Sequence, residues 1–184
     1  MSVNGSRAVT VFGSSRVCPD SVEYDEARRL GRLLACNGFV LCNGGYYGTM
    51  EAAARGAKEV GGRTVGCTVD VLAGRLPNEW VDEEQRSASL FQRLERLTAQ
   101  ADAFVALRGG VGTLLEVALV WNLAQLDGRV RRPVILVGAA WREVLRVLSR
   151  ELYVRSDDLA HMETVDSVDE AVLRLQELLS QAIA

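Results

Sequence analysis

Short runs rich in apolar and β-forming residues, most followed by glycine or a polar turn, alternate along the chain with longer stretches whose apolar positions recur every three or four residues. The runs at residues 8–12, 39–42, 64–68, 104–107 and 133–137 have the length and β-former content of buried parallel strands. Between the first two, a helix introduced by Pro19-Asp20 carries Tyr24, Ala27, Leu30 and Leu34 on its apolar side and stops at Asn37-Gly38. The same spacing predicts helices over 49–60, 83–100 (one polar helix), from the Gly109–Thr113 turn to near Asp127-Gly128, 141–153 and 168–183, with a short strand or turn at 161–165. Residues 69–82, which include Pro77, form a long irregular connection, and such loops are often functional. Strands alternating with helices, joined by right-handed crossovers, predict an α/β fold. It is Rossmann-like and doubly wound, a mostly parallel sheet flanked by helices on both faces, as a single domain over residues 1–184.

In such sheets ligands bind at the carboxyl ends of the strands, where the strand order reverses. Three glycine-containing turns follow strands here: Gly13-Ser14-Ser15, Gly44-Gly45 with Gly48, and Gly109-Gly110 with Gly112-Thr113. The third is the most telling, because three glycines in four residues open a helix whose first N–H groups and positive dipole end face an approaching anion. It lacks the lysine of the G-x-x-x-x-G-K-[ST] phosphate loop and, with Leu115 in last place, the final glycine of the dinucleotide fingerprint. A phosphate-binding turn outside those two motifs is expected. Gly44, Gly45 and Gly48 either shape a turn or touch a ligand, and Ser14 and Ser15 are caps or phosphate and ribose contacts.

Two charged residues converge on the same place. Glu116 lies one turn inside the helix after Gly112, where it either complements the helix dipole or points a carboxylate into the crevice; spacing leaves both open. Arg93 precedes Asp102 by nine residues, about 13 Å up a helix towards the edge with the glycine turns, within reach of the crevice. Arg96 is read as a solvated or ion-paired residue, and the sole histidine, His161, as structural or surface rather than part of a catalytic triad. The helix carrying Leu114, Leu115, Val117, Leu119, Trp121 and Leu123 is apolar around most of its circumference, so one face is expected to pack against a second subunit in a two-fold homodimer.

Composition narrows the partner. A net charge of −3 and a sequence pI near 5.3 give no footprint for nucleic acid or an anionic membrane and favour a small molecule. Cys18, Cys36, Cys42 and Cys67 lack metal-ligand spacing, so no metal site is expected. No signal-peptide pattern appears, nor any run near the ~18 apolar residues of a membrane span, so a soluble cytoplasmic protein with reduced thiols is expected.

Taken together, Val11-Phe12-Gly13-Ser14-Ser15, Gly44-Gly45-Tyr46-Tyr47-Gly48 with Met50, Arg93 before Ala101-Asp102-Ala103-Phe104, and Gly109-Gly110-Val111-Gly112-Thr113 with Glu116 resemble the LOG family, once labelled lysine decarboxylase-like. The family's P-G-G-x-G-T-x-x-E pattern falls on Arg108 to Glu116, and its catalytic arginine and glutamate fall on Arg93 and Glu116. The resemblance implies a homodimeric phosphoribohydrolase that splits a nucleoside 5′-monophosphate into free base and ribose 5-phosphate without metal or organic cofactor. Arg108 replaces the usual proline, Asn43 the first of three glycines, Leu94 the lysine of an R-K pair and Leu115 the first of paired acids, while Met50-Glu51-Ala52-Ala53-Ala54-Arg55-Gly56-Ala57 and the solitary Glu116 look closer to a bacterial branch. The alternative is a non-catalytic nucleotide or phosphorylated-cofactor binder, similar to the molybdenum-cofactor carriers built on this fold. Lysine decarboxylation is disfavoured, because Lys58, the only lysine, lies within an ordinary helix.

Overall fold

The computed structural model describes residues 6–72, 74–126 and 132–181. Among them the strands are β1 (Ala8–Phe12), β2 (Val40–Asn43), β3 (Thr64–Val69), β4 (Glu83–Ser87), β5 (Ala103–Ala106), β6 (Val134–Val137) and β7 (Glu163–Val165). The helices are α1 (Val22–Cys36), α2 (Thr49–Lys58), α3 (Leu90–Ala99), α4 (Val111–Leu126), α5 (Ala139–Glu151), α6 (Ser156–Leu159) and α7 (Val168–Gln181). All strands pair in parallel, in the order β4-β3-β2-β1-β5-β6-β7. The expected Rossmann-like, doubly wound sheet is therefore present. The expected helix stop at Asp127-Gly128 and the end of the last helix at Ile183 lie outside the described residues.

Both sheet faces are covered, so each strand divides its side chains between two cores. Val9, Val11, Leu41, Val105 and Ile135 pack beneath α1, α2 and α7, whereas Phe12, Cys42, Cys67, Phe104 and Leu136 pack beneath α3, α4 and α5. Helix α1 begins at Ser21, whose side chain accepts the Tyr24 N–H, and buries Tyr24, Ala27, Leu30 and Leu34 at helical spacing. It crosses α2 closely enough that a Cβ on Gly31 would lie 1.8 Å from the Ala53 carbonyl oxygen.

One expectation is corrected. Residues 83–100 are not a single polar helix, because 83–87 add the edge strand β4 to β3 and the helix starts only after Ser89, whose hydroxyl accepts the Gln92 N–H. An exposed edge tolerates the polar sequence Glu-Glu-Gln-Arg-Ser, and its charges are matched locally by Arg63 to Glu83 at 2.6 Å and Arg86 to Asp70 at 2.5 Å. Arg93 consequently sits in the first turn of a short helix, at the crevice end.

The strand order reverses between β1 and β5, which are hydrogen-bonded neighbours although separated in sequence by three strands. Their carboxyl ends deliver Gly13 and Gly109 side by side, with Leu107 N–H donating to the Phe12 carbonyl at 2.9 Å. Topology alone thus brings two of the three glycine turns together.

Candidate functional site

A cavity of about 430 Å³ opens at this reversal point. Gly13, Ser14, Ser15, Gly44, Arg93, Gly110, Gly112, Thr113 and Glu116, all singled out in the sequence, line it. Gly45, Gly48 and Gly109 do not. They shape the surrounding turns instead: Gly48 has φ +70°, and a Cβ there would lie 2.4 Å from the Ser14 carbonyl oxygen, while a Cβ on Gly109 would strike the Thr113 hydroxyl at 2.1 Å.

The turn before α4 is open, with its first amides unpaired. Leu114 N–H, bonded to the Gly110 carbonyl at 3.0 Å, is the first amide to close a turn, which leaves the amides of Val111, Gly112 and Thr113 without a backbone partner among the described residues. Neither Gly110 nor Gly112 has a positive φ, and a Cβ on either would meet nothing within 4 Å. Neither conformation nor packing among the described residues calls for glycine at these two positions, and the space beside them is open. Thr113 is not a free hydroxyl. Its side chain is buried and donates to the Gly13 carbonyl at 2.9 Å, tying the two turns together.

Arg93 and Glu116 meet across the floor, with Nη1 3.5 Å from Oε1 and side chains only 11% and 12% exposed. Arg93 is oriented from several sides. Its Nε donates to the Cys67 carbonyl at 2.7 Å, and its guanidinium lies over the Tyr46 ring, 5.8 Å from the centroid. Gly44 leaves the passage it needs, since a Cβ there would lie 2.1 Å from Nη2. Burial raises the Glu116 carboxyl from its ordinary 4.5 to about 7, the long contact to Arg93 opposing this without cancelling it. A carboxyl that gains and loses its proton near neutrality, beside unpaired helix N-terminal amides, is suited to acid-base or electrostatic work.

Other supports carried little or no sequence signal. Asn43, noted only as a departure from a glycine, is buried; its Oδ1 accepts Gly45 N–H at 2.8 Å and its Nδ2 donates to the Met50 carbonyl at 2.9 Å. Asn78 folds the 70–82 connection back over the second glycine turn, its Nδ2 donating to the carbonyls of Tyr46 at 2.6 Å and Gly45 at 3.0 Å. The Tyr46 hydroxyl accepts Val69 N–H at 2.9 Å. Arg16 and Arg75 also line the cavity, unforeseen because a loop's fold-back is set by tertiary contacts. Arg108 is exposed and does not line it, while His161, just before β7, lies at the opposite edge of the sheet. Lys58 is ion-paired with Asp82 at 2.6 Å, away from the cavity.

The fold and crevice define an α/β protein of Rossmann-like topology with its cavity at the strand-order reversal. The chain belongs to the SLOG cluster4 family, whose model matches residues 6–171. It is 30% identical over 179 residues to a protein of Mycobacterium tuberculosis named cytokinin riboside 5′-monophosphate phosphoribohydrolase, covering 92% of this chain and 94% of the relative. The solved structure of TM1055 superposes with a TM-score of 0.75 at 28% identity, covering 93% of this chain and 99% of the other. The molybdenum cofactor carrier protein of Chlamydomonas reinhardtii shares the fold, with a TM-score of 0.73 at 23% identity over 95% of this chain and 99% of the carrier. No helix among the described residues is long and apolar enough to cross a membrane.

Proposed function

We propose that the protein hydrolyses the N-glycosidic bond of nucleoside 5′-monophosphates, releasing free base and ribose 5-phosphate. The observation that carries this reading is the buried Arg93–Glu116 pair beside an open glycine turn. A binder of phosphorylated molecules needs the turn alone. The name of the mycobacterial relative supports the same reaction.

In this reading the 5′-phosphate sits on the amides of residues 111–113. Side chains of a helix lean towards its N-terminus, so Glu116, one turn on, projects back towards the ribose of a nucleotide anchored there. Ionised Glu116 stabilises positive charge developing at C1′ as the C1′–N bond breaks, and takes a proton from the attacking water. The water oxygen bonds to C1′, the base departs with the electron pair of the broken bond, and the proton passes to it. Arg93 orients the carboxylate. Incubation of the pure protein with a panel of nucleoside monophosphates, assayed for free base, tests the reading: base release supports it, and tight binding without turnover favours the carrier alternative.

The homodimer belongs to the same proposal. Helix α4 leaves Val111 (85% exposed), Leu114, Leu115 and Ala118 uncovered, and Phe91 at the start of α3 is 84% exposed. Trp121 is engaged within the chain, its Nε1 donating to the Asp158 carbonyl at 2.7 Å, so the partner covers the first turns of α4 rather than the indole. A monomeric mass by light scattering at micromolar concentration would contradict this arrangement.

A further inference from the structure

The crevice holds more positive charge than one phosphate accounts for. Arg93 is committed to the Cys67 carbonyl and Glu116, yet Arg16 and Arg75 line the same cavity, are exposed, and have no hydrogen-bond or ion-pair partner for their guanidinium groups among the described residues. Elsewhere Arg28, Arg29, Arg86, Arg142 and Arg174 each reach a carboxylate. Arg7, Arg96 and Arg108 also show no side-chain partner among the described residues, but none of them lines the cavity. Among the described lining residues Glu116 is the only acid, so nothing in the cavity wall neutralises the two free cations.

Both arginines are carried by loops fixed against the glycine turns. The Arg16 amide donates to Ser14 Oγ at 3.1 Å in the turn after β1. Arg75 belongs to the connection that Asn78 fastens over Gly45 and Tyr46. The first turn of α4 lines the cavity from the end of β5, and Arg16 and Arg75 line it from the loops after β1 and β3. Guanidinium groups match phosphate oxygens with paired N–H donors, and such charge-assisted bonds are about twice as strong as neutral ones.

We propose that Arg16 and Arg75 form a second anion subsite, and that the ligand is a nucleotide with two phosphoryl groups. One is held by the amides of residues 111–113 and the other by the two arginines. The proposal rests on the phosphate-binding part of the function given above and extends it to the substrate class.

The test is calorimetric affinity at one fixed ionic strength for a nucleoside 5′-monophosphate, the 5′-diphosphate and the 3′,5′-bisphosphate, in a Glu116→Gln background that prevents turnover. At least one doubly phosphorylated nucleotide is expected to bind roughly tenfold or more tighter than the monophosphate, the preferred one locating the second group beside the first or on the ribose. In Arg16→Ala/Arg75→Ala that affinity ratio falls towards one. Equal affinity for all three ligands, or a ratio that survives both substitutions, overturns the subsite. Base release by the unmodified protein is measured alongside. Release of base with no affinity ratio defeats the subsite alone, and an intact ratio without base release defeats the hydrolase reading alone.

Discussion

The turn after β2 and the turn after β5 are both rich in glycine, and the protein uses them in opposite ways. After β2 the space above the glycines is filled by the protein: Arg93 and Met50 against Gly44, Thr68 and Gly66 against Gly45, and the Ser14 carbonyl against Gly48. After β5, Gly110 and Gly112 face open space with ordinary backbone angles. Glycine in the first turn is required by the fold; in the second, Gly110 and Gly112 leave the space that the proposed phosphate would occupy. Motif counting weights the two alike, and only the surroundings separate them.

Substitution should separate them by effect as well. At Gly48 a valine needs an unfavourable positive φ and collides with the β1 loop, so Gly48→Val is expected to destabilise the protein by roughly 3 kcal/mol or more, read from the denaturant midpoint. A midpoint within experimental error of wild type would remove the distinction.

A second test concerns the floor that the two turns share. The proton of Glu116 is held more tightly in the folded state, because burial raises its carboxyl from 4.5 to about 7. Its contribution to stability is therefore full below about pH 4.5 and is lost as pH rises through 7, an effect of about 3 kcal/mol for so well buried a group. Unfolding of wild type and Glu116→Gln across this range should show the slope in wild type and its absence in the variant. Base release, which needs the ionised form, should rise through the same pH.

Smaller in energy but sharper in meaning is Gly112→Val. Valine is no worse than glycine in a helix, so stability should hold or increase slightly, while nucleoside monophosphate affinity falls by roughly tenfold as the side chain fills the cradle. Unchanged affinity with the fold intact by circular dichroism would remove the proposed anchor.

The same contrast marks the reach of the sequence. Runs rich in apolar and β-forming residues announce β1, β2, β3, β5 and β6, because a strand buried on both faces is mostly apolar, with the few buried polar residues such as Thr10 and Thr64 hydrogen-bonded. Strand β4 escapes that pattern, since its place depends on pairing with β3 at a solvent edge that polar residues suit. Spacing puts Arg93 within reach of the crevice and leaves Glu116 between the helix dipole and the crevice; their contact across the floor is seen only in the fold. Asn78, Arg16 and Arg75 cannot be placed from spacing, because no periodicity fixes how a loop folds back. Thr113 was legible as a helix-start hydroxyl, but not as the side chain that donates to the Gly13 carbonyl and links the two turns.

The central claim is that Glu116 and Arg93 act together on a nucleotide anchored by the turn after β5. Release of free base and nucleotide affinity should be measured in wild type, Glu116→Gln, Arg93→Ala and the double variant. Glu116→Gln is expected to keep most of its affinity while losing turnover by roughly a hundredfold or more. Arg93→Ala should also impair turnover, and the double variant should lose less than the two single effects combined, as for residues that act as a unit. Undiminished base release by Glu116→Gln would contradict the account.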